Sequence, residues 1–516
     1  MRRGFIPSRL CIPLQVALLL AIAHVKAADT SAEPIQPIDA PFAMPQLARP
    51  VFPDKSVNIR DYGAVDGGTV TNTDAIAKAI AACAKLGGGT VVVPAGKWLT
   101  GAIHLQSNIN LHLEEGAELS FSDKPEDYLP PVFVRNGGVE VYNYSPLIYA
   151  RDCQNVAVTG PGLLTGNGKA WWAWKNATQD QSFKMAADGV PVEKRVFGTP
   201  QAGIRPSFVS FVSCTNVLLE GFTITSGPAW TIHPIYCDHV IIRRVHVDTH
   251  GPNNDGLDPD SCSNVLVEYC TFRTGDDCVV LKSGYNEDGW RVGKPTQNVV
   301  MRYCTATEGH GGLVIGSEMS GGVRNVYMHD CEFDRTDHVL RIKSRPDRGG
   351  VIENVWVENA KGKDLQREAI IITMYYASDK MPIANRKPPI FRNMQIKNLT
   401  VDGAPTAMMI TGLDDSLVQN IHFENVAISS TKGVVATDAT GLVFDSVKIV
   451  PSSGPEFNFN NVSQVSIKNA TAPLAGGPFL TVKGRTSGGI RIEGGNIPED
   501  AVQTGADAPA NAVSVQ

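Results

Sequence analysis

A short apolar pattern recurs nine times along the middle of the chain, and it limits the possible folds more than any other feature. Each copy has a polar marker residue, then Val, Ile or Met, then alternating apolar positions: CQNVAVTG, CTNVLLEGFTI, CDHVIIRRVHV, CSNVLVEYCTF, TQNVVMRYCTA, VRNVYMHDCEF, IENVWVENA, FRNMQIKNLTV and VQNIHFENVAI. The markers are Asn155, Asn216, His239, Asn264, Asn298, Asn325, Asn354, Asn393 and Asn420, and from Asn216 onward their separations are 23, 25, 34, 27, 29, 39 and 27 residues. A shortest period in the low twenties with irregular additions is the signature of a solenoid that carries loops of variable length.

Within each copy the apolar residues alternate, which is the period of a strand and excludes helical repeats. Coils of roughly 22 to 30 residues made of short strands and turns stack about 4.8 Å apart as a parallel β-helix, with inward side chains forming one continuous core. A chain of 516 residues would otherwise suggest about three domains; the repeat predicts one all-β solenoid instead. The 49 glycines and 33 prolines fit its many turns. Stacked Asn side chains can bond one another and the backbone, so the marker ladder is expected to be structural.

Four segments follow. Arg2, Arg3 and Arg9 precede an apolar stretch from Cys11 to Ala23, so residues 1–27 are expected to be a cleaved export signal of either the ordinary or the twin-arginine kind. Residues 28–56 form an N-terminal extension, 57–498 the β-helix, and 499–516, rich in Ala and polar residues, a loose tail. Export implies a secreted protein; no later segment is long and apolar enough to span a membrane. Loss of the signal moves the formal charge from −6 to −10, which argues against nucleic acid as a partner. The nine remaining cysteines cannot all pair with one another, form no CxxC pair, and are expected as buried thiols without structural zinc. One good helix is predicted, capped by Asn72-Thr73-Asp74, apolar at Ile76, Ala79, Ile80 and Cys83, and ended by Gly87-Gly88-Gly89; it would cover the open end of the solenoid. Residues 166–206 are a long insertion with Trp171, Trp172 and Trp174, which either stack on sugar rings or anchor the loop.

Chemistry is sought where the coils carry residues that core and turns do not require. Asp255 lies 16 residues beyond its marker, Asp276 12, His310 12 and Arg341 16. Similar offsets place them on one side of successive coils, with Asp277 beside Asp276 and Lys343 two residues beyond Arg341. Singly, each could be a solvated turn residue. Together, with Gly256, Gly275, Gly309 and Gly311 keeping the backbone open beside them, they describe a cleft. Crowded carboxylates raise at least one pKa, which supplies a general acid, while another carboxylate activates water or attacks an anomeric carbon. Arg341 and Lys343 suit a substrate anion, so an acidic sugar polymer fits. Asp276 and Asp277 can both act only if the chain bends between them. The aspartates at 255, 258 and 260 lack the spacing of a calcium loop, no G-x-S-x-G elbow is present, and no cofactor or metal is expected.

At these residues the chain resembles glycoside hydrolase family 28, the polygalacturonases, from about Val57 to about Thr471. The resemblance rests on N-N-D at 253–255, G-D-D at 275–277, G-H-G at 309–311 and R-I-K at 341–343; Asn254 stands where Thr is usual. It implies a right-handed parallel β-helix and inverting hydrolysis of α-1,4-galacturonan by a monomer. Asp276 would be the general acid, Asp255 and Asp277 would activate water, and His310 would maintain the acid. Arg341 and Lys343 would bind galacturonate carboxylates, with Tyr376 as a subsite tyrosine adjoined by Tyr375. Neighbouring coils place acid and base closer than the usual inverting separation of about 6.5 to 9.5 Å, so spacing alone favours retention. The insertion and GGLVIGSEMSGGVRN resemble bacterial members that include exo-acting enzymes, which tips the expectation to exo over endo action. A pectin lyase and a non-catalytic β-helix adhesin remain as other readings.

Overall fold

The computed structural model describes Met1 and residues 33–175, 179–199, 202–377, 386–470 and 478–516. The chain forms two units, Met1–Pro34 and Ile35–Gln516, and all the elements below belong to the second. Residues 2–27 of the expected export signal lie outside the described residues.

Parallel ladders join 32 strands into one wrapped sheet, a right-handed parallel β-helix. The repeat sets its register: Val156 pairs with Val217, and the column continues through Val240, Val265, Val299, Val326, Val355, Met394, Ile421 and Leu442. Those side chains are buried, as alternation requires when one strand face is the core. At roughly 2 kcal/mol for each fully buried aliphatic side chain, such columns are the main driving force for the fold.

The marker residue just before each Val is a turn position. Asn155, Asn216, Asn264, Asn298, Asn325, Asn354, Asn393 and Asn420 all adopt positive φ between 51° and 59°, a region that Asn enters more readily than other non-glycine residues. Their amides link the coils: Asn298 donates to Asn264 at 3.0 Å, Asn325 to Asn298 at 3.0 Å and Asn354 to Asn325 at 3.1 Å. At His239 the rung is supplied by Asp238, which accepts from Asn264 at 2.8 Å. The ladder is structural.

The expected helix spans Thr73–Lys85, burying Ile76, Ala79, Ile80 and Cys83 against the first coil. Asn72 is buried and does not cap it through its side chain; its amide instead donates to the carbonyls of Val65, Val70 and Leu99, tying down the preceding loop. All nine cysteines described are buried and free. Cys153, Cys214, Cys237 and Cys262 each lie two residues before a marker, so they are repeat positions rather than a disulfide frame.

Two outer segments add to the barrel. In the N-terminal extension, Ile38 and Leu47 cover the outward apolar stripe of Ala157, Leu218, Ile241, Leu266 and Val300. Residues 499–516, expected as a loose tail, instead continue the ladder: Val502–Thr504 pairs with Leu480–Lys483, and Val513–Val515 with Gly488–Glu493. Composition hid this because the added strands are three residues each, with Ala512 buried beneath them.

Candidate active site

The coils run in consecutive register through Ile232, Leu257, Val279, Leu313, Leu340 and Ile370, and the predicted site residues lie around this column. Asp255, Asp276, Asp277, Lys343 and Tyr376 line one cleft, which holds about 820 Å³ free of protein atoms, part of it open to solvent. Gly275 and Asp276 form a bend between the strands Thr271–Thr274 and Val279–Leu281. That bend lets adjacent aspartates face the same space. Gly309 supports it from the next coil: its φ is +100°, and a Cβ there would stand 2.5 Å from Thr274 Oγ1.

His310, half-exposed at the rim, sits with Nδ1 3.0 Å from Asp276 Oδ1. Hydrogen bonding to Asp276 raises its pKa against the opposing effect of burial. Asp276 Oδ1 also accepts from the Asp277 amide at 3.0 Å.

Asp277 is nearly sealed from solvent, and both of its oxygens accept from cations: Lys343 Nζ at 2.6 Å and Arg341 Nη1 at 3.1 Å. Burial alone would raise its pKa, but Lys343, Arg341 and Lys282 outweigh that and hold it well below the usual carboxylate range. Asp255 goes the other way. Burial, then the charge of Asp276, pushes it well above its ordinary value. Asp255 and Asp277 are thus driven apart in acidity by their surroundings, which is how one site can hold carboxyl groups in different protonation states.

Tyr376, rather than the exposed Tyr375, faces the cleft, its ring 5.0 Å from Lys343 Nζ and 5.5 Å from the Arg341 guanidinium. The tryptophans divide. Trp171 is buried among Tyr128, Tyr144 and Trp174 as an anchor, Trp172 donates to the Gly227 carbonyl at 3.0 Å, and Trp174 alone lines the cleft.

Several site residues carry no signal in the repeat. Lys282 is buried with its ammonium 3.1 Å from Glu318, 3.7 Å from Asp258 and 3.8 Å from Asp255, over the ring of Trp230 at 4.2 Å. It occupies the position a cation would need between Asp255 and Asp258, while Asp260 pairs with Arg135 at 2.6 Å. Lys282 and Arg135 thus place positive charge beside the aspartates of that loop. Asp276, Asp277 and His310 bring ligand atoms within 4.8 Å of one another, but Asp277 is already claimed by Arg341 and Lys343.

One wall of the cleft comes from the hairpin Val132–Asn136 and Val139–Asn143 and from the 166–206 insertion, which pack together through Val134, Val139, Val141, Ala186, Phe197 and Ile204. A buried pair fastens the insertion: Arg195 donates to Asp288 at 2.7 Å, and Asp288 also accepts from the Glu140 amide at 2.8 Å.

Residues 83–447 match the glycosyl hydrolases of family 28. The chain belongs to this family. It is 28% identical to a probable polygalacturonase of Vitis vinifera over 78% of this chain and 82% of that one. It is also 28% identical to the exo-poly-alpha-D-galacturonosidase of Dickeya chrysanthemi over 84% and 75% of the two chains. Among solved structures, the hyperthermoactive exopolygalacturonase of Thermotoga maritima superposes with a TM-score of 0.75 at 39% identity, covering 79% of this chain and 94% of that one. The family 28 exopolygalacturonase of Yersinia enterocolitica gives 0.68 at 26% identity, over 80% and 78%. As a family 28 member the chain is a glycoside hydrolase.

Proposed function

We propose that this protein is a secreted, monomeric polygalacturonase that hydrolyses α-1,4-galacturonosidic bonds with inversion, acting from a chain end. The observation that carries the reading is the contrast between neighbours: Asp277 is held ionised by Lys343 and Arg341, while Asp276 is hydrogen-bonded to the imidazole of His310. Asp276 protonates the departing glycosidic oxygen. Asp277 deprotonates the attacking water, which Asp255 beside it helps to orient by hydrogen bonding, and the water oxygen bonds to the anomeric carbon as the leaving group departs. His310 returns Asp276 to its protonated form. Arg341, Lys343 and Tyr376 receive the galacturonate on the other side of the broken bond, the cations facing its carboxylate and the ring its face.

The wall built by the hairpin and the insertion favours exo action, because it brings Arg135, Trp174 and Arg205 into the lining of the cleft beside the aspartates, where they can meet a chain end. Chromatography of polygalacturonate digests over time tests the whole reading. Monomer or dimer alone, without ultraviolet-absorbing unsaturated ends, is expected. Mixed oligomers at early times would mean endo action, unsaturated ends a lyase, and no products a binding protein.

A further inference from the structure

Four of the five cations around the cleft are answered by carboxylates. Arg135 pairs with Asp260, Lys282 with Glu318, and Arg341 and Lys343 with Asp277. Arg205 differs. Its side chain lines the cleft at the end of the insertion, and the residue is only 8% exposed. Its Nη1 donates to the carbonyls of Pro228 (3.1 Å) and Pro252, and its Nη2 to Asn253 Oδ1 at 2.8 Å. All three acceptors are neutral, and among the described residues no carboxylate pairs with it and none accepts from its Nε. Burial draws the guanidinium down to about 10, with Asp255 pulling the other way, so it is still a cation at neutral pH.

A buried cation with no carboxylate hydrogen-bonded to it is unfavourable and is kept where something offsets that penalty. Its address along the solenoid indicates what. Pro228 and Asn253 sit beside the coils of Ile232 and Leu257, before the coil of Asp277; Arg341 and Lys343 lie on the coil of Leu340, beyond it. At about 4.8 Å per coil, the two cationic positions flank the row of acids from opposite ends. The Nε edge of a guanidinium is suited to a planar carboxylate.

We propose that Arg205 receives the carboxylate of a second uronic acid unit, on the opposite side of the scissile bond from the unit held by Arg341 and Lys343. The cleft then reads two consecutive acidic sugars, and the insertion supplies the group that recognises the chain end. This inference rests on the hydrolase reading above.

The test compares trigalacturonate with the same trisaccharide methyl-esterified at its non-reducing end. Arg205→Gln is expected to lower kcat/KM on the free acid at least tenfold more than on the ester, mainly through KM. Arg205→Lys, which keeps charge and stem but loses the fork, should show the same selective loss to a smaller degree, and it serves as the readout if the glutamine variant does not fold. An unchanged kcat/KM on the free acid overturns the inference. So does equal loss on both substrates, which would make Arg205 a prop for the Pro252-Asn253 turn. Absence of wild-type turnover on trigalacturonate would instead defeat the hydrolase reading itself.

Discussion

Lys343 Nζ lies 2.6 Å from Oδ2 of Asp277, in a place where both side chains are almost closed to solvent. A residue that sequence reasoning assigns to substrate binding is therefore also the electrostatic support of the carboxylate proposed to activate water.

Lys343→Ala should accordingly reduce kcat as well as raise KM. Removing one partner of a buried pair costs about 3 to 5 kcal/mol, because the other charge is left uncompensated. With only Arg341 and the more distant Lys282 left to hold it ionised, Asp277 should take up its proton at higher pH. The depressed pKa of Asp277 gives a contribution that is present above its unfolded value and lost as pH falls through the folded one. The acidic limb of kcat/KM against pH should therefore move to higher pH in the variant. A pure KM effect with an unmoved limb would count against this coupling.

His310 governs the opposite limb. Its pKa, raised by the hydrogen bond to Asp276, means that the imidazole proton is fully held below the ordinary histidine value and lost as pH rises through the folded one. Asp276→Asn should lower kcat about 10²- to 10⁴-fold on polygalacturonate, the range for losing a general acid, with less loss on an aryl galacturonide whose leaving group needs no proton. His310→Ala should shift the alkaline limb of the profile to lower pH. Equal losses of Asp276→Asn on both substrates would remove the acid role.

The coil order, the ladder asparagines and the cluster of Asp255, Asp276, Asp277, His310, Arg341 and Lys343 were legible because stacking converts equal offsets from a marker into proximity. Lys282 was not, since at the end of the strand run VVLK it looks like a solubilising strand terminus. Glu318 and Arg205 were hidden for another reason: they lie on loops whose paths follow from packing on distant elements such as the 132–143 hairpin, and no period encodes that. The same limit applies to the tryptophans, where only the fold separates the buried Trp171 from the cleft-lining Trp174.

That separation is measurable. Trp171→Ala should destabilise the protein by about 3 to 5 kcal/mol, as expected for emptying an aromatic core position. Trp174→Ala should leave the urea midpoint much closer to wild type and raise KM for galacturonate oligomers. Reversed effects would exchange the anchor and the cleft residue.

Asn298 tests the ladder. It donates to Asn264, accepts from Asn325 at 3.0 Å, and has φ 56°. Asn298→Ala loses both bonds and retains the left-handed backbone, for a combined cost of about 2 to 3 kcal/mol. Asn298→Gly loses the bonds without the steric conflict, and should be less destabilising by about 1 kcal/mol in urea unfolding. If glycine is the worse of the two, the turn conformation is not what the asparagine supplies.

The stereochemical course decides between geometry and kinship. Ligand atoms of Asp276 and Asp277 approach within 4.8 Å, closer than the roughly 6.5 to 9.5 Å usual between carboxyl groups of inverting enzymes. Taken alone, that spacing suits a covalent intermediate formed on one carboxylate. Yet Asp277 has both oxygens bound to Lys343 and Arg341, which lowers its nucleophilicity while leaving it able to accept a proton from water. Asp255, on the preceding coil, offers a second oxygen for the same water. Proton NMR of the first product released from an α-linked galacturonide should therefore show the β-anomer before mutarotation. Initial release of the α-anomer would establish double displacement and make one of these aspartates a nucleophile.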